Sequence, residues 1–228
     1  MPGKVYAIGL GPGDPELITV KAQRLLHELA AVYLPVREGH ASLARKIAEK
    51  WVEPAKLREL PFSMSKKVAE NAQRWREHAR MLAEAARSAG EVGFLTEGDP
   101  LLYSTFGNLL GELRSSFADV ALEFVPGVTS VTAAAAACGL PLGQESQRLA
   151  IVPASGDVLH ALATFDTVVI LKVSMNLAGI LKALRATGRL GEATYVERAT
   201  WPEQRIIHDL ESLDPKKMDY FGQIIVVR

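Results

Sequence analysis

Apolar and polar positions alternate along the chain between two periods. Residues 5–10 form a short β-rich apolar run that stops at glycines. Over residues 16–29, Leu17, Val20, Leu25 and Leu29 fall near helical spacing. Residues 31–36 read as a second strand and 41–51 as a helix. The clearest helix covers 66–88, where Val68, Ala72, Trp75, Ala79, Leu82 and Ala86 step by fours and threes. Gly90 suits its C-terminal end. Residues 92–96 form a strand that ends in Glu-Gly-Asp-Pro, and 105–115 a helix. Residues 120–125 form a strand that ends in Pro-Gly. Five alanines, 133–137, lie in a helix that Gly139 and Pro141 close. Residues 149–152, 167–173, 193–198, 204–209 and 223–227 read as strands. The last two have no long helix between them, which predicts a mixed sheet. Alternating strands and helices give an α/β fold class. A boundary at 125/126 separates an N-terminal α/β lobe, 1–125, from a C-terminal α/β lobe with a mixed sheet, 126–228.

Composition narrows this little. The 228 residues are 48% hydrophobic and 23% charged, enough apolar surface for a core. Lys plus Arg equals Asp plus Glu at 26 each, so no global basic field favours nucleic acid. One cysteine, Cys138, excludes an internal disulfide and fits a reducing cytoplasm. No apolar run approaches the ~20 residues of a membrane helix. The N-terminus goes straight into a strand pattern without a signal-peptide pattern, so a soluble cytoplasmic protein is expected.

Glycine-bearing strand ends carry the candidate chemistry. Gly9, Gly11 and Gly13 follow the first strand. A dinucleotide fingerprint would need a third glycine where Asp14 stands, and an acid at the tip of the second strand, which is absent. Asp14-Pro15-Glu16 is a good helix start, with Asp14 as the cap. That leaves the three glycines to tight packing or close approach of a ligand. The theme returns at Gly98-Asp99-Pro100, with Ser104 or Thr105 expected to cap the next helix, and at Pro126-Gly127 ahead of Thr129 and Ser130. Ligands of open α/β sheets bind beyond the carboxyl ends of strands, so three such ends could line one crevice.

The segments GLGPGDPELITVKA, LTEGDPLLYSTF, VPGVTSVTAAAAACGLPL and YVERATWPEQR, in this order, resemble the tetrapyrrole (corrin and porphyrin) methylase family over nearly the whole chain. Within it, the nearest pattern is that of methylases acting on C20 of precorrin-2, through LPFSM at 60–64, Trp75, the YSTF after GDP, and ILKV at 170–173. The resemblance implies two α/β lobes with S-adenosyl-L-methionine in the cleft between them, a tetrapyrrole substrate, a homodimer, and neither nucleic-acid nor membrane partners. It implies cofactor contacts at Pro12, Glu97, Gly98, Asp99, Leu102, Thr129 and Ser130. Leu171 takes a position often held by methionine, and Ala199 a small-residue position. Tyr103, Ser104 and Thr105 lie beside them as further contacts. Several members carry an acid after the second strand as a base; here Tyr33 is followed by Leu34, so no catalytic residue is assigned.

A nearby side chain could accept the proton that leaves the methylated carbon, and Tyr103 and Tyr195 are candidates. The acidic macrocycle calls for arginines, with Arg37, Arg45, Arg148, Arg198 and Arg205 as candidates. His27, His40, His78, His160 and His208 lack metal-ligand spacing, so no metal is expected. Rival readings are another member of the family (a different corrin carbon, a ribosomal RNA ribose methylase or a diphthine synthase), an NAD-dependent dehydrogenase, and a non-catalytic nucleotide-binding regulator.

Overall fold

Strands β1 (Lys4–Gly9), β2 (Val32–Arg37), β3 (Leu57–Phe62), β4 (Glu91–Thr96) and β5 (Ala121–Val125) form a parallel sheet in the order β3-β2-β4-β1-β5. The computed structural model describes residues 3–37, 42–62 and 68–228. β1 and β4 are buried at every position after their first residue, the signature of a parallel sheet covered on both faces. The helices α1 (Val20–Glu28), α2 (Leu43–Ala48), α3 (Val68–Ala89) and α4 (Phe106–Ser116) connect these strands. Ala79, Leu82, Ala83 and Ala86 of α3 and Phe106, Leu109 and Leu113 of α4 pack on Val5, Ala7, Val92 and Phe94. Each fully buried large apolar side chain here contributes roughly 1.5–3 kcal/mol. From β1 the chain runs toward one edge of the sheet to reach β2, and from the neighbouring β4 toward the opposite edge to reach β5. These two connections cross; the ones that diverge leave the adjacent strands β2 and β4, to β3 and β5 at opposite edges, the kind of switch point at which open sheets bind ligands.

Strands β6 (Leu149–Pro153), β7 (Thr167–Leu171), β8 (Ala193–Glu197), β9 (Arg205–Ile207) and β10 (Gly222–Val227) form a second sheet in the order β6-β7-β10-β8-β9. Only β6 and β7 pair in parallel; the sheet is mixed, as its pattern predicts. Helices α5 (Ser130–Cys138), α6 (Val158–Thr164) and α7 (Leu177–Ala186) belong to this part. Val168, Ile170, Tyr195, Ile224 and Val226 face Leu162 of α6 and Ile180 and Leu184 of α7. Arg189 is fully buried, yet its guanidinium reaches the carbonyls of Leu162, Phe165 and Asp166 and the Glu192 carboxylate. It thus satisfies the free end of α6, as buried polar groups require. The chain divides into two units, Met1–Thr129 and Ser130–Arg228. Among the described residues, no helix is long and apolar enough to cross a membrane.

Four elements differ from the sequence reading. The helix expected from residue 16 starts at Val20, because Asp14 caps only a single 3-10 turn, Pro15–Leu17, and Thr19 caps the helix by accepting from Ala22 N at 3.2 Å. β3 is an edge strand whose buried Leu57 and Leu60 are separated by two exposed residues, so no period of two marks it. α6, only seven residues long, and α7, which buries Leu177, Ile180, Ala183 and Leu184 at helical spacing, are helices that the sequence reading did not assign; Asp157 and Asn176 cap them at His160 N and Gly179 N. The expected starts of two helices, Ala41 and Lys66, lie outside the described residues, as do Ser63 and Met64 of the LPFSM segment.

Candidate functional site

The three glycine-bearing loops of the first unit meet main chain against main chain. A Cβ on Gly9, the last residue of β1, would lie 2.5 Å from the Gly98 carbonyl and 2.7 Å from Gly127 N. Close packing therefore fixes Gly9 and Gly127. Gly11 and Gly98 have φ of 80° and 64°, the left-handed region. They exchange hydrogen bonds, Gly98 N donating to Gly11 O at 2.7 Å and Gly11 N to Gly98 O at 3.4 Å. Asp99 completes the knot. Its Oδ1 accepts from Leu101 N at 2.8 Å and its Oδ2 from Gly127 N at 3.1 Å. The turn cap expected at Asp99 is thus also the tie between the second and third loops.

The other expected contacts of this unit lie along the same loops. Pro12, Gly98, Leu102, Ser104, Thr105 and Thr129 are half-buried, and Tyr103 is exposed. The Glu97 carboxylate is turned to the start of α2, where Oε1 accepts from Ala44 N at 2.9 Å. Loss of solvent around it raises its pKa above the ordinary carboxylate range. Of the two expected caps of α4, Ser104 is the one that acts: its Oγ accepts from Phe106 N at 3.2 Å and bonds Thr96 Oγ1 at 2.8 Å, while Thr105 makes no side-chain cap bond. Asp14, where a dinucleotide loop needs glycine, accepts from Glu16 N at 2.9 Å.

In the second unit, Ser130 opens α5 and is exposed, whereas Leu171 ends β7 and is buried. Ala199, also buried, follows β8 by two residues. Glu197, 5% exposed, is a junction that the sequence reading missed. Its Oε2 accepts from Tyr195 OH at 2.6 Å and from Asp219 N at 2.9 Å, and Oε1 lies 3.4 Å from the Arg205 guanidinium. Tyr195 is fully buried, and burial together with the Glu197 carboxylate pushes its pKa far up. It holds its proton, which corrects the expectation that it could act as a base. Gln223 was also missed. It pairs with Leu171 across the sheet, so both side chains share a face. Its Nε2 donates to Ser130 O at 2.7 Å. Its buried Oε1 has no hydrogen-bond partner among the described residues. A lone polar residue in the run GQIIVV, and an acid closing ATYVE, were the signals available.

The arginines expected to meet an acidic substrate have internal carboxylates instead. Arg45 pairs with Glu49 and Glu59, Arg148 with Asp166, Arg198 with Asp219, and Arg205 with Glu197. The Arg37 side chain and His40 lie outside the described residues. Among the described residues, no three His, Cys, Asp or Glu side chains cluster as a metal site would.

A family model described as Tetrapyrrole (Corrin/Porphyrin) Methylases matches residues 4–214. The chain belongs to the tetrapyrrole methylase family. It is 38% identical to a cobalt-precorrin-2 C(20)-methyltransferase of Salmonella typhimurium, over 99% of this chain and 97% of that one. It is 36% identical to the cobalamin biosynthesis protein CobIJ of Mycobacterium bovis, over 96% of this chain but 45% of that one, so it spans about half of that relative's length. The fold is similar to that of uroporphyrin-III C-methyl transferase from Thermus thermophilus, solved with S-adenyl homocysteine, at TM-score 0.72 and 29% identity over 99% of this chain and 98% of that one. A cobalt precorrin-4 methyltransferase is similar at TM-score 0.76 and 25% identity, over 98% of this chain and 94% of that one. These relatives do not support a dehydrogenase. Within the second unit, Gln223 Oε1 is a buried acceptor in want of a donor, chemistry that suits a hydroxyl or amine of an adenosyl group.

Proposed function

We propose that this tetrapyrrole methylase transfers a methyl group from S-adenosylmethionine to C20 of precorrin-2 or of its cobalt form, in cobalamin biosynthesis. The observation that carries this reading is the knot of Gly9, Gly98 and Gly127, which brings the family's motif loops together at the carboxyl ends of β1, β4 and β5. The 38% identity to a C20-methylating relative supports the choice of carbon. In this reading Pro12, Glu97, Gly98, Asp99, Leu102, Tyr103, Ser104, Thr105 and Thr129 of the first unit, and Ser130, Leu171 and Ala199 of the second, are the cofactor contacts, and the two units are the family's two lobes. We also propose a cytoplasmic homodimer, which sedimentation of the purified chain checks.

When bound, S-adenosylmethionine supplies a methyl group on a positively charged sulfur, with a neutral thioether as leaving group. The chain's own part is to bind, align and exclude water. Such alignment offsets roughly 7–11 kcal/mol of barrier in favourable cases. Main-chain groups suit it, because the knotted loops give them little freedom to move. Glu97 serves here through α2 and not as a free carboxylate. Tyr103, exposed on its loop, is the remaining tyrosine candidate for the departing proton.

Incubation with methyl-labelled cofactor and either form of the ring, followed by mass and NMR mapping, tests the proposal. One labelled methyl at C20 is expected. Label at another carbon, or none on the ring, contradicts it.

A further inference from the structure

Five non-glycine residues among those described have a left-handed backbone: Tyr103, Glu145, Lys172, Arg198 and Thr200, with φ of 50°, 47°, 58°, 50° and 73°. A Cβ makes this conformation costly, and it persists only where the surroundings enforce it. Four of the five adjoin the proposed cofactor contacts. Tyr103 lies between Leu102 and Ser104, Lys172 follows Leu171, and Arg198 and Thr200 stand on either side of Ala199.

The turn around Ala199 is enforced by side chains. Arg198 Nε donates to Asp219 Oδ2 at 2.7 Å, and a second guanidinium nitrogen lies 2.6 Å from the same oxygen. Asp219 is itself fixed, its N donating to Glu197 Oε2 at 2.9 Å and its Oδ1 accepting from Phe221 N at 2.9 Å. Glu197 is held in turn by Tyr195 and Arg205. On the far side, Thr200 N donates to Gln204 Oε1 at 2.8 Å. A turn needed only to reverse the chain would be cheaper with glycine at these places, as at Gly11 and Gly98. Strain that a network anchored on the buried Glu197 maintains points to a position that must be held.

We propose that Arg198, Asp219 and Glu197 are positioning residues: they hold the turn 198–200 left-handed before the cofactor arrives, so that the Ala199 main chain is already set for the adenosyl group. The proposal rests on Ala199 being a cofactor contact, and its test separates the two claims. Arg198→Ala and Arg198→Gly both remove the guanidinium, but only glycine keeps positive φ without penalty. Binding of S-adenosylhomocysteine to the full-length chain is measured by calorimetry well below each variant's Tm. The Kd should rise about tenfold in Arg198→Ala and at most about threefold in Arg198→Gly. Should Arg198→Ala fail to fold, Asp219→Ala takes its place, and adding Arg198→Gly to it should restore most of the affinity. A turn that serves the fold alone would move Tm and leave Kd alone. Equal Kd in the alanine and glycine variants overturns the positioning role. A wild-type chain that does not bind S-adenosylhomocysteine overturns the cofactor reading instead.

Discussion

The two units build their strand-end loops in opposite ways. The first uses residues without side chains: Gly9, Gly98 and Gly127 lie main chain on main chain, and Gly11 and Gly98 turn left-handed at no steric cost. The second uses side chains: Lys172, Arg198 and Thr200 take the same backbone region, and Glu197, Asp219 and Gln204 keep two of them there. Glycine gives close approach but leaves the turn free in conformation. A side-chain network gives a fixed turn but leaves a buried carboxylate that must stay fully bonded. Tyr103 is the exception in the first unit, a left-handed residue with a large exposed side chain.

The largest effect should come from breaking the glycine knot. Gly9→Ala places a Cβ against two main-chain neighbours that cannot rotate away, and should cost about 3 kcal/mol or more. For a chain of this size that lowers Tm by roughly 6–12 °C, read by calorimetry. The counterpart in the second unit is Glu197→Ala, which strands the Tyr195 hydroxyl and Asp219 N and should cost about 2–4 kcal/mol. Pairing it with Tyr195→Phe should recover part of that loss, since the stranded hydroxyl goes too. No recovery would mean that Glu197 acts through other partners.

Gln223→Met should weaken S-adenosylhomocysteine binding about fivefold with little change in Tm, because relief of the unpaired Oε1 offsets loss of the Nε2 bond to Ser130 O. A fall in Tm with unchanged affinity would make Gln223 a fold residue. The smallest effect concerns Glu97. Its folded-state pKa is raised, so its contribution to stability is full below the ordinary carboxylate range and is lost as pH rises through the folded value. Glu97→Gln keeps an oxygen for Ala44 N and does not ionise. It should match wild type at acid pH and exceed it increasingly as pH rises through the folded value, read by Tm across the pH range. A constant difference across that range would contradict the burial of this carboxylate.

Much of this was legible in the sequence, for physical reasons that differ by element. The apolar runs of β1 and β4 and the stripe of α3 are long enough to declare their period. β3 was hidden because an edge strand with two exposed residues in a row has no alternation. The cap at Asp14 was readable, but its reach was not: whether it starts a helix or a single turn depends on Thr19 competing five residues later. The glycine loops announced close approach without saying whether a ligand or another loop was approaching, and for Gly9 and Gly127 it is another loop. Glu197, Asp219 and Gln223 were out of reach, since their partners come from distant strands. So were the carboxylates that occupy Arg45, Arg148, Arg198 and Arg205.

A crystal structure of the full-length chain with S-adenosylhomocysteine tests the central claim most directly. The nucleoside should hydrogen-bond main-chain atoms of the loop 97–102 and of the turn 198–200, with Arg198 still left-handed and still on Asp219. A ligand bound elsewhere, with both segments untouched, would contradict the account.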